Sequence, residues 1–399
     1  MTFLSEHRAD DERRHPQSRE LFDTTSGIVA EHLWSKMTPE YPGLTQGRTV
    51  KCLCDPCHVS NRSSGTWGAM ITLALTGDVM LGRGVAEALD NRMRPEAPWG
   101  DVMPLLHAAD LRIINLECAI TDNERPWTRT PKVFHFRAQP SAIETLRTAR
   151  IDGCSLANNH TLDFEEQGLL DTLEHLDAAG IRHAGAGRNR EEAADPAILT
   201  LPADHTRRVA LLAFTDNEPP FAAGIDRPGT NYLPVSLKPE VLRRVERTVS
   251  YVREMGVGTV IFSNHWGPNM VQRPKEIFRR FARAVIDRGV DIYYGHSAHV
   301  FQGVEIYRGK PILYDTGDFI DDYAVDPKFR NDWSFFFQVS VEEGRFERLD
   351  LTPVKLSYAR VDLATGGERE TILDRMVRLS AEMGTVFTRR EGALVFERG

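Results

Sequence analysis

The chain has 399 residues, of which 41% are hydrophobic and 27% charged, with 30 Gly and 22 Pro. This composition is typical of a globular protein and excludes the collagen-like, fibrous and wholly disordered classes. Its 49 basic and 57 acidic residues give a formal net charge of −8. That charge disfavours attraction to nucleic acid and to anionic lipid, so we expect no nucleic-acid partner.

Residues 1–69 are polar and show neither helical periodicity nor strand alternation. We predict an irregular, poorly ordered extension over this range. It carries a C-x-C-x2-C-H run, formed by Cys52, Cys54, Cys57 and His58. The run has the residue types of a zinc site without the spacing of a standard zinc ribbon, and we favour an incidental cluster over a metal site.

From Met70 the chain alternates apolar strands with amphipathic helices, which predicts an α/β protein. In chain order the predicted elements are MITLALTGD, LRIINLE, PSAIETLRTAR, DGCSLANNH, EEQGLLDTLEHLDAAG, RRVALLAF, PEVLRRVERTVSYVREMG, GTVIFSNH, PKEIFRRFARAVIDRG and VDIYYGH. Leucines at three- and four-residue spacing predict the helix that ends before Gly180, a residue suited to a helix C-cap.

The last third of the chain reads as short strands separated by turn residues, which predicts an antiparallel second sheet. These strands lie in FQGVEIYRG, KPILYDTGDF, SFFFQVSVEEG and RFERLDLTPVKL. A final amphipathic stretch, RETILDRMVRLSAEMG, predicts a surface helix. We place one domain over residues 70–358 and a C-terminal helical appendage over 359–399.

No stretch approaches the roughly 18 apolar residues of a membrane-spanning helix, and the N-terminus lacks the apolar core of a secretory signal. We therefore expect a cytoplasmic location and no direct membrane span. Five cysteines, an odd number, indicate no disulfide framework.

Polar residues follow five of the predicted strands, where the strands end. They are Asp78, Asn115 and Glu117, Asn158 to His160, Asn264 and His265, and His296 with His299. In α/β sheets, ligands bind at the carboxyl ends of the strands, so five such ends can build one site. Taken singly, an Asp, Glu or Asn after a strand is more typical of a turn or a helix cap than of a ligand. His265 is equally typical of a hydrogen-bonded core histidine, whereas the pair His296 and His299 is harder to explain by packing alone.

This set of side chains suits a pair of divalent metals. Imidazole suits zinc, iron, nickel or manganese, and a carboxylate suits harder ions and can bridge two of them. Two adjacent metals lower the pKa of water and offset charge on a phosphoryl group, which makes hydrolysis the natural reaction class.

Several ordered motifs over about residues 71–319 resemble the CapA family of bacterial capsule and poly-γ-glutamate synthesis proteins. They are TGDVMLGR, INLECAIT, SLANNHTLDF, GLLDTLEHLDAAGIRHAGAG, FSNHWG and GHSAHVFQGVEIYRGKPILYDTGDF. By fold this family belongs to the calcineurin-like metallophosphatase superfamily. The resemblance implies an α/β fold, namely a four-layer α/β/β/α sandwich of two mixed β-sheets with a binuclear site between them.

The resemblance also implies a role for each matching residue. One metal would be bound by Asp78, Glu117 and His299, and the other by Glu117, Asn159, His265 and His296. The two ions would be manganese, iron or zinc. His160 would be the general acid that protonates the leaving group.

Asp163 follows His160 by three residues, close enough for its carboxylate to orient the imidazole and raise its pKa. The alternative is that Asp163 caps the helix that begins near Phe164. Arg83, Lys132 and Arg137 are candidates for anion recognition, and Arg83 is the best placed because it follows the first strand directly. We assign Asn115 and Asn158, with Arg83, to substrate binding.

Two departures from the family pattern concern the metal site. Met80 stands where the superfamily usually has a histidine, which predicts a weak first metal site. Asp315 and Asp318 replace the more usual Ser and Asn, and we favour turn residues over extra ligands for both.

Two functions remain open from the sequence. The first is a metal-dependent hydrolase that acts on a phosphoester or a related anionic substrate. The second is a non-hydrolytic component of poly-γ-glutamate or capsule synthesis, in which the same pocket binds an anionic polymer or a partner of that synthesis.

Overall fold

The computed structural model describes residues 70–398. The predicted extension, residues 1–69, and its cysteine run lie outside the described residues. Over the described part, the elements alternate in the way that the sequence predicts, and they form two large mixed sheets.

The first large sheet has a parallel half and an antiparallel half. Its parallel strands are β1 (Ile71–Val79), β2 (Leu111–Leu116), β5 (Gly153–Ser155), β6 (Arg182–Ala184) and β15 (Asp318–Ile320). Its antiparallel strands are β16 (Trp333–Glu342), β17 (Arg345–Ser357), β18 (Arg360–Leu363), β19 (Thr388–Arg390) and β20 (Ala393–Glu397). The two halves meet at β1, which pairs with β2, β15 and β16.

The second large sheet has a parallel centre and antiparallel edges. Its strands, in spatial order, are β13 (Val304–Tyr307), β14 (Lys310–Leu313), β12 (Ile292–His296), β11 (Thr259–His265), β9 (Asp204–Thr215) and β8 (Ala197–Leu201). Two short pairs complete the strands: β3 (Ala119–Ile120) with β4 (Arg137–Ala138), and β7 (Ala186–Gly187) with β10 (Gly229–Thr230).

The helices pack on the sheets, mostly on the outer faces, and the last helix contributes residues to the apolar cluster between the sheets. The helices are α1 (Arg83–Asp90), α2 (Met103–Ala108), α3 (Ile143–Thr148), α4 (Glu165–Ala179), α5 (Arg190–Ala194), α6 (Pro239–Glu254), α7 (Glu276–Asp287) and α8 (Gly366–Ala381). Helix α4 ends at Gly180, which adopts a left-handed conformation with φ of 72° as the predicted C-cap. No helix of residues 70–398 has the length and apolar character needed to span a bilayer.

Three buried apolar clusters separate the layers. One packs α2 to α4 against the outer face of β1 and β2, as at Leu169 against the first sheet. The second lies between the sheets, where Leu75 and Ile261 belong to the same cluster. The third packs α6 and α7 on the outer face of the second sheet. Three interfaces between four layers give the predicted α/β/β/α sandwich.

The last third of the chain differs from the prediction. The strands expected to form one antiparallel sheet are divided, with β13 and β14 in the second sheet and β15 to β17 in the first. The C-terminal stretch is likewise more than a helical appendage, because β18, β19 and β20 pair within the first sheet. Local alternation predicts a strand but not the sheet it joins, and β15 and β16 enter the first sheet by pairing with β1, far earlier in the chain.

Candidate functional site

The carboxyl ends of the parallel strands in both sheets converge on one buried polar cluster. Asp78 lies near the end of β1, and Glu117 directly follows β2. His265 and His296 are the last residues of β11 and β12 and face each other in register. The rigid strands therefore fix side chains that are up to about two hundred residues apart in the chain.

The possible metal ligands fall into two groups that share Asp78. The first group is Asp78, His265 and His296, and the second is Asp78, Glu117, His299 and Asp318. Within each group, one ligand atom per residue lies within 4.8 Å of all the others. The resemblance implied that Glu117 would be the shared residue, whereas the geometry gives that position to Asp78. Glu117 nonetheless approaches the first group, with its Oε1 atom 3.7 Å from Nε2 of His265.

Several buried atoms of this cluster have no hydrogen-bond partner within residues 70–398. They are Asp78 Oδ2, both carboxylate oxygens of Glu117, Asn159 Oδ1, His265 Nε2 and Asp318 Oδ2. Buried polar atoms without a partner are costly, and here they are carboxylate, amide and imidazole ligand atoms gathered at one place. Both groups therefore fit divalent cations. Their residue types are those that bind such ions, and their buried polar atoms are left free to do so.

The pKa shifts of the buried carboxylates and imidazoles also indicate that the cluster favours a bound cation. Burial raises the pKa of Asp78 well above its usual value, and Asp318 raises it further. Burial and the neighbouring Asp78 do the same to the pKa of Glu117. For His265, burial and the adjacent His296 lower the pKa, which keeps the imidazole neutral and able to act as a ligand. A cation would stabilise these carboxylates in their ionised form.

His160 and Asp163 form a hydrogen-bonded pair at the edge of the cluster. Nδ1 of His160 donates to Oδ2 of Asp163 at 2.6 Å, and its Nε2 lies 3.8 Å from Glu117 Oε1. The His160 ring stacks on Phe136, with centroids 3.7 Å apart. The same Asp163 oxygen also accepts from the Phe136 backbone N–H at 2.6 Å. Asp163 therefore fixes the ring orientation, and the alternative helix-cap role is wrong because no side chain caps α4.

The sequence predicts that Asp163 raises the pKa of His160, whereas the structure gives a lowered pKa. Burial lowers the pKa of His160 well below its usual value, and the charge of Lys132 lowers it further. Burial raises the pKa of Asp163 to about 7, which Lys132 opposes from 3.3 Å. The three-residue spacing of His160 and Asp163 does not reveal that both side chains are buried, and burial decides the direction of both pKa shifts.

Asn115 and Asn158 lie beneath the cluster and are fully buried. Asn115 donates to Asp78 Oδ1 at 2.8 Å and accepts from Asn158 at 3.1 Å. Asn158 Oδ1 in turn accepts from the His160 backbone N–H at 3.0 Å. These contacts favour a positioning role over the substrate contact predicted from the sequence.

The two aspartates of YDTGDF have different environments. Asp315 accepts from the backbone N–H groups of Ala298 and Gly317 at 2.8 and 2.9 Å, as the predicted turn residue does. Asp318 instead accepts from Nδ1 of His299 at 2.8 Å within the second ligand group, so the turn interpretation is wrong for this residue. Its position, paired with Asp78 across parallel strands, could not be read from the local sequence.

Met80 packs away from the metal groups. Its side chain is fully buried in the apolar cluster under the helices, and its sulfur accepts from the Gly82 backbone N–H at 3.0 Å. Asp318 supplies a further donor to the group that was predicted to be weak.

A cleft opens beside the cluster, and several predicted residues line it. Asn159, His160, His299, Arg83 and Lys132 all reach its wall. Lys132 also donates to the Asn159 backbone carbonyl at 2.7 Å. Among the three basic candidates, Arg137 is not on this wall: its guanidinium contacts the backbone carbonyls of residues 122 and 123.

The loop that carries His299 is conformationally unusual. Ser297 and His299 have φ of 117° and 58°, in a region that non-glycine residues rarely adopt. Such conformations persist where surrounding structure holds them, and they concentrate at functional sites. The Asp318 hydrogen bond to His299 and the Asp315 hydrogen bond to Ala298 hold this loop.

The family model of the bacterial capsule synthesis protein PGA_cap matches residues 72–323. The chain belongs to this family. The match covers the strands that carry every proposed ligand of this PGA_cap protein, and it confirms the CapA resemblance read from the motifs.

Curated relatives agree with this assignment. A probable polyglutamine synthesis accessory protein of Mycobacterium tuberculosis (strain ATCC 25618 / H37Rv) is 32% identical, over 82% of this chain and 95% of that protein. The capsule biosynthesis protein CapA of Bacillus anthracis is 25% identical, over 81% and 77%. The PGA biosynthesis protein CapA of Bacillus subtilis (strain 168) is 27% identical, over 73% of each chain. The crystal structure of TT1561 of Thermus thermophilus aligns with a TM-score of 0.36 and 10% identity, over 69% of this chain and all of that one.

Proposed function

We propose that this PGA_cap family member is a metal-dependent hydrolase that cleaves a phosphoester or a related anionic substrate in capsule or polyglutamate synthesis. The observation that carries the proposal is the convergence of unpartnered, buried carboxylate, amide and imidazole atoms at the carboxyl ends of both sheets. A protein that merely bound an anionic polymer would have no need to bury this many acidic oxygens together.

The ligands in this proposal are the residues of the two groups. Asp78, His265 and His296 would hold one ion, Asp78, Glu117, His299 and Asp318 would hold the other, and Asn159 would add an amide oxygen. Manganese, iron and zinc all suit these donors. Divalent ions bound here supply the Lewis-acid chemistry that makes phosphoester hydrolysis feasible at neutral pH.

The proposed role of His160 is proton donation to the leaving oxygen. Its Nδ1–H is held by Asp163, so Nε2 is the atom that faces the cluster and the cleft. Proton donation requires a protonated ring, which burial opposes. The ionised carboxylate of Asp163 counters this by stabilising an imidazolium, and Lys132 favours the ionised form of Asp163 by opposing the burial that raises its pKa to about 7.

Metal content per chain tests the proposal first. We expect about two equivalents of divalent metal in protein purified without chelators, and a large loss in the His265→Ala, His296→Ala double variant. The matched control is His107→Ala with His183→Ala, since each of these histidines makes an exposed hydrogen bond, to the Thr148 carbonyl and to Asp177, and neither belongs to a ligand group. Protein that binds none of manganese, iron or zinc on incubation would exclude the hydrolase.

Turnover of phenyl phosphate, whose leaving oxygen is basic enough to need protonation, by the metal-loaded protein is the second measurement. We expect His160→Ala to keep its metal and to lose about 10²-fold or more in kcat, as removal of a general acid does. The cytoplasmic location predicted from the sequence is part of this proposal, and cell fractionation tests it.

A further inference from the structure

The cleft beside the cluster has a volume of about 570 Å³. One end is polar and is formed by Asn159, His160 and His299, next to the ligand groups. The rest of its wall is mostly apolar. The larger apolar and aromatic side chains that line it are Pro131, Val133, Phe134, Phe136, Met270 and Tyr323.

Two of these residues are exposed where the cleft opens. Val133 is 84% exposed and Phe134 is 56% exposed, and both belong to the segment between the short strands β3 and β4. Large apolar side chains that face water next to a ligand-binding cleft are typical of a surface that a ligand covers. They extend the apolar wall outward from the polar end.

Both basic residues on this wall already have an acidic partner. Among the described residues, those that line the cleft are Arg83 and Lys132. Arg83 lies 3.3 Å from Asp322, and its guanidinium sits over the rings of Phe134 and Phe136. The side chain of Lys132 is only 6% exposed.

Lys132 lies 3.3 Å from Asp163 and 3.8 Å from Glu218. Glu218 itself lines the cleft and adds negative charge. A chain that carries a negative charge on every unit would therefore meet no surplus of positive charge along this wall, and it would have to displace existing ion pairs to bind. The wall is complementary to a group without charge.

We propose that the cleft takes an amphiphilic phosphoester, with one anionic group at the ligand groups and an apolar alkyl or aryl group along the Val133, Phe134 and Met270 wall. This inference rests on the proposed hydrolase and specifies its substrate class. Hydrolysis would break the bond between phosphorus and the ester oxygen. The hydroxyl of water goes to phosphorus, and a proton goes to the released apolar alcohol.

Binding of two phosphonates, which resist hydrolysis, tests this preference independently of turnover. We expect the metal-loaded protein to bind octylphosphonate at least about 30-fold more tightly than methylphosphonate in calorimetry, because several methylene groups leave water. In the Val133→Ser, Phe134→Ser double variant we expect that ratio to fall several-fold, while the affinity for methylphosphonate is unchanged.

The matched control is Ile225→Ser with Val386→Ser, which removes side chains of similar exposure, 74% and 78%, that do not line the cleft. We expect the control to keep the wild-type ratio. Equal affinity for both phosphonates, or a poly-L-glutamate affinity per chain that exceeds that of octylphosphonate, would overturn the inference.

The two proposals fail separately. Selective binding of octylphosphonate without turnover of octyl phosphate by the loaded protein would reject the hydrolase and support the apolar site. Turnover of methyl and octyl phosphate with the same kcat/KM would support the hydrolase and reject the apolar site.

Discussion

Asp78 and Asp318 lie opposite each other on the parallel strands β1 and β15, although 240 positions separate them in the chain. The Asp78 backbone N–H donates to the Gly317 carbonyl at 2.8 Å, which fixes the spacing of the two strands at this point. Both carboxylates belong to one ligand group with Glu117 and His299. Two buried carboxylates this close repel each other when both are ionised, and a bound cation would offset that repulsion.

Asp318→Asn is expected to weaken metal binding by about 10-fold or more. The change removes a charged oxygen ligand of the metal and alters the hydrogen bond that His299 donates to residue 318. Titration of the apo protein with manganese, followed by calorimetry, measures this. Asp315→Asn is the control, since its carboxylate binds backbone N–H groups of the turn. An Asp318→Asn protein with wild-type affinity would show that this carboxylate is not a ligand.

Gly77→Ala is expected to destabilise the fold by about 1–3 kcal/mol and to reduce metal content. A Cβ at Gly77 would lie 2.2 Å from the Gly317 carbonyl oxygen, so β15 and Asp318 must move away from β1. Chemical denaturation and elemental analysis measure the two effects. Gly180→Ala provides the comparison, because it strains a positive φ in open space and is expected to leave metal content unchanged.

Asp163→Asn is expected to lower kcat about 10²-fold while the protein keeps its metal. The carboxylate stabilises a protonated His160, so its removal lowers the His160 pKa and moves the alkaline limb of the pH–rate profile to lower pH. Asp177→Asn is a matched control, since Asp177 accepts from the ring of His183 at 3.1 Å far from the cleft. An unchanged pH–rate profile in Asp163→Asn would show that the hydrogen bond between Asp163 and His160 does not control the protonation of His160 during turnover.

Glu368, in the first turn of α8, joins this helix to the first sheet. It accepts hydrogen bonds from Arg330 at 2.6 Å, Lys355 at 2.8 Å and Trp333 at 2.9 Å. Burial alone would raise the pKa of Glu368, but these hydrogen bonds outweigh it and lower the pKa to about 2. The charged form is therefore the one that stabilises the fold.

Glu368→Gln is expected to reduce the free energy of unfolding at pH 7 by about 1 kcal/mol, a modest value because water screens a partly exposed network. The stabilisation is complete above the ordinary glutamate pKa of about 4.5 and is lost as the pH falls towards 2. Thermal unfolding at pH 7 and near pH 2 checks this. A difference from wild type that persists at the acid limit would contradict the ion-pair explanation, and Glu370→Gln serves as the more exposed control.

The sequence was sufficient to predict the position of candidate site residues when that position depends on their own strand. Asp78, His265 and His296 end apolar runs, and every such run is a parallel strand whose carboxyl end faces the site. Asp318 was missed because its role depends on β15 pairing with β1, which no local pattern records. The pKa direction of His160 was missed for a related reason, since burial is a property of the assembled layers.

The fold was predictable to the same extent. The alternation of strand and helix patterns was sufficient to predict the layers, and Gly180 was sufficient to predict the end of α4. The division of β13 to β17 between two sheets was not predictable, because alternation of side chains is the same whichever sheet a strand joins.

Helix α8 and the residues that follow it cover an edge of the second sheet and so disfavour self-association of the protein. Strand β13 is an edge of the second sheet, and an open edge presents N–H groups that another chain can pair with. Here the Val304 N–H donates to the hydroxyl of Ser380 at 2.9 Å, and the Ile306 N–H donates to the hydroxyl of Thr385 at 2.9 Å. The C-terminal segment thus shields a surface prone to aggregation, and a chain truncated before Gly366 would present that edge to its neighbours.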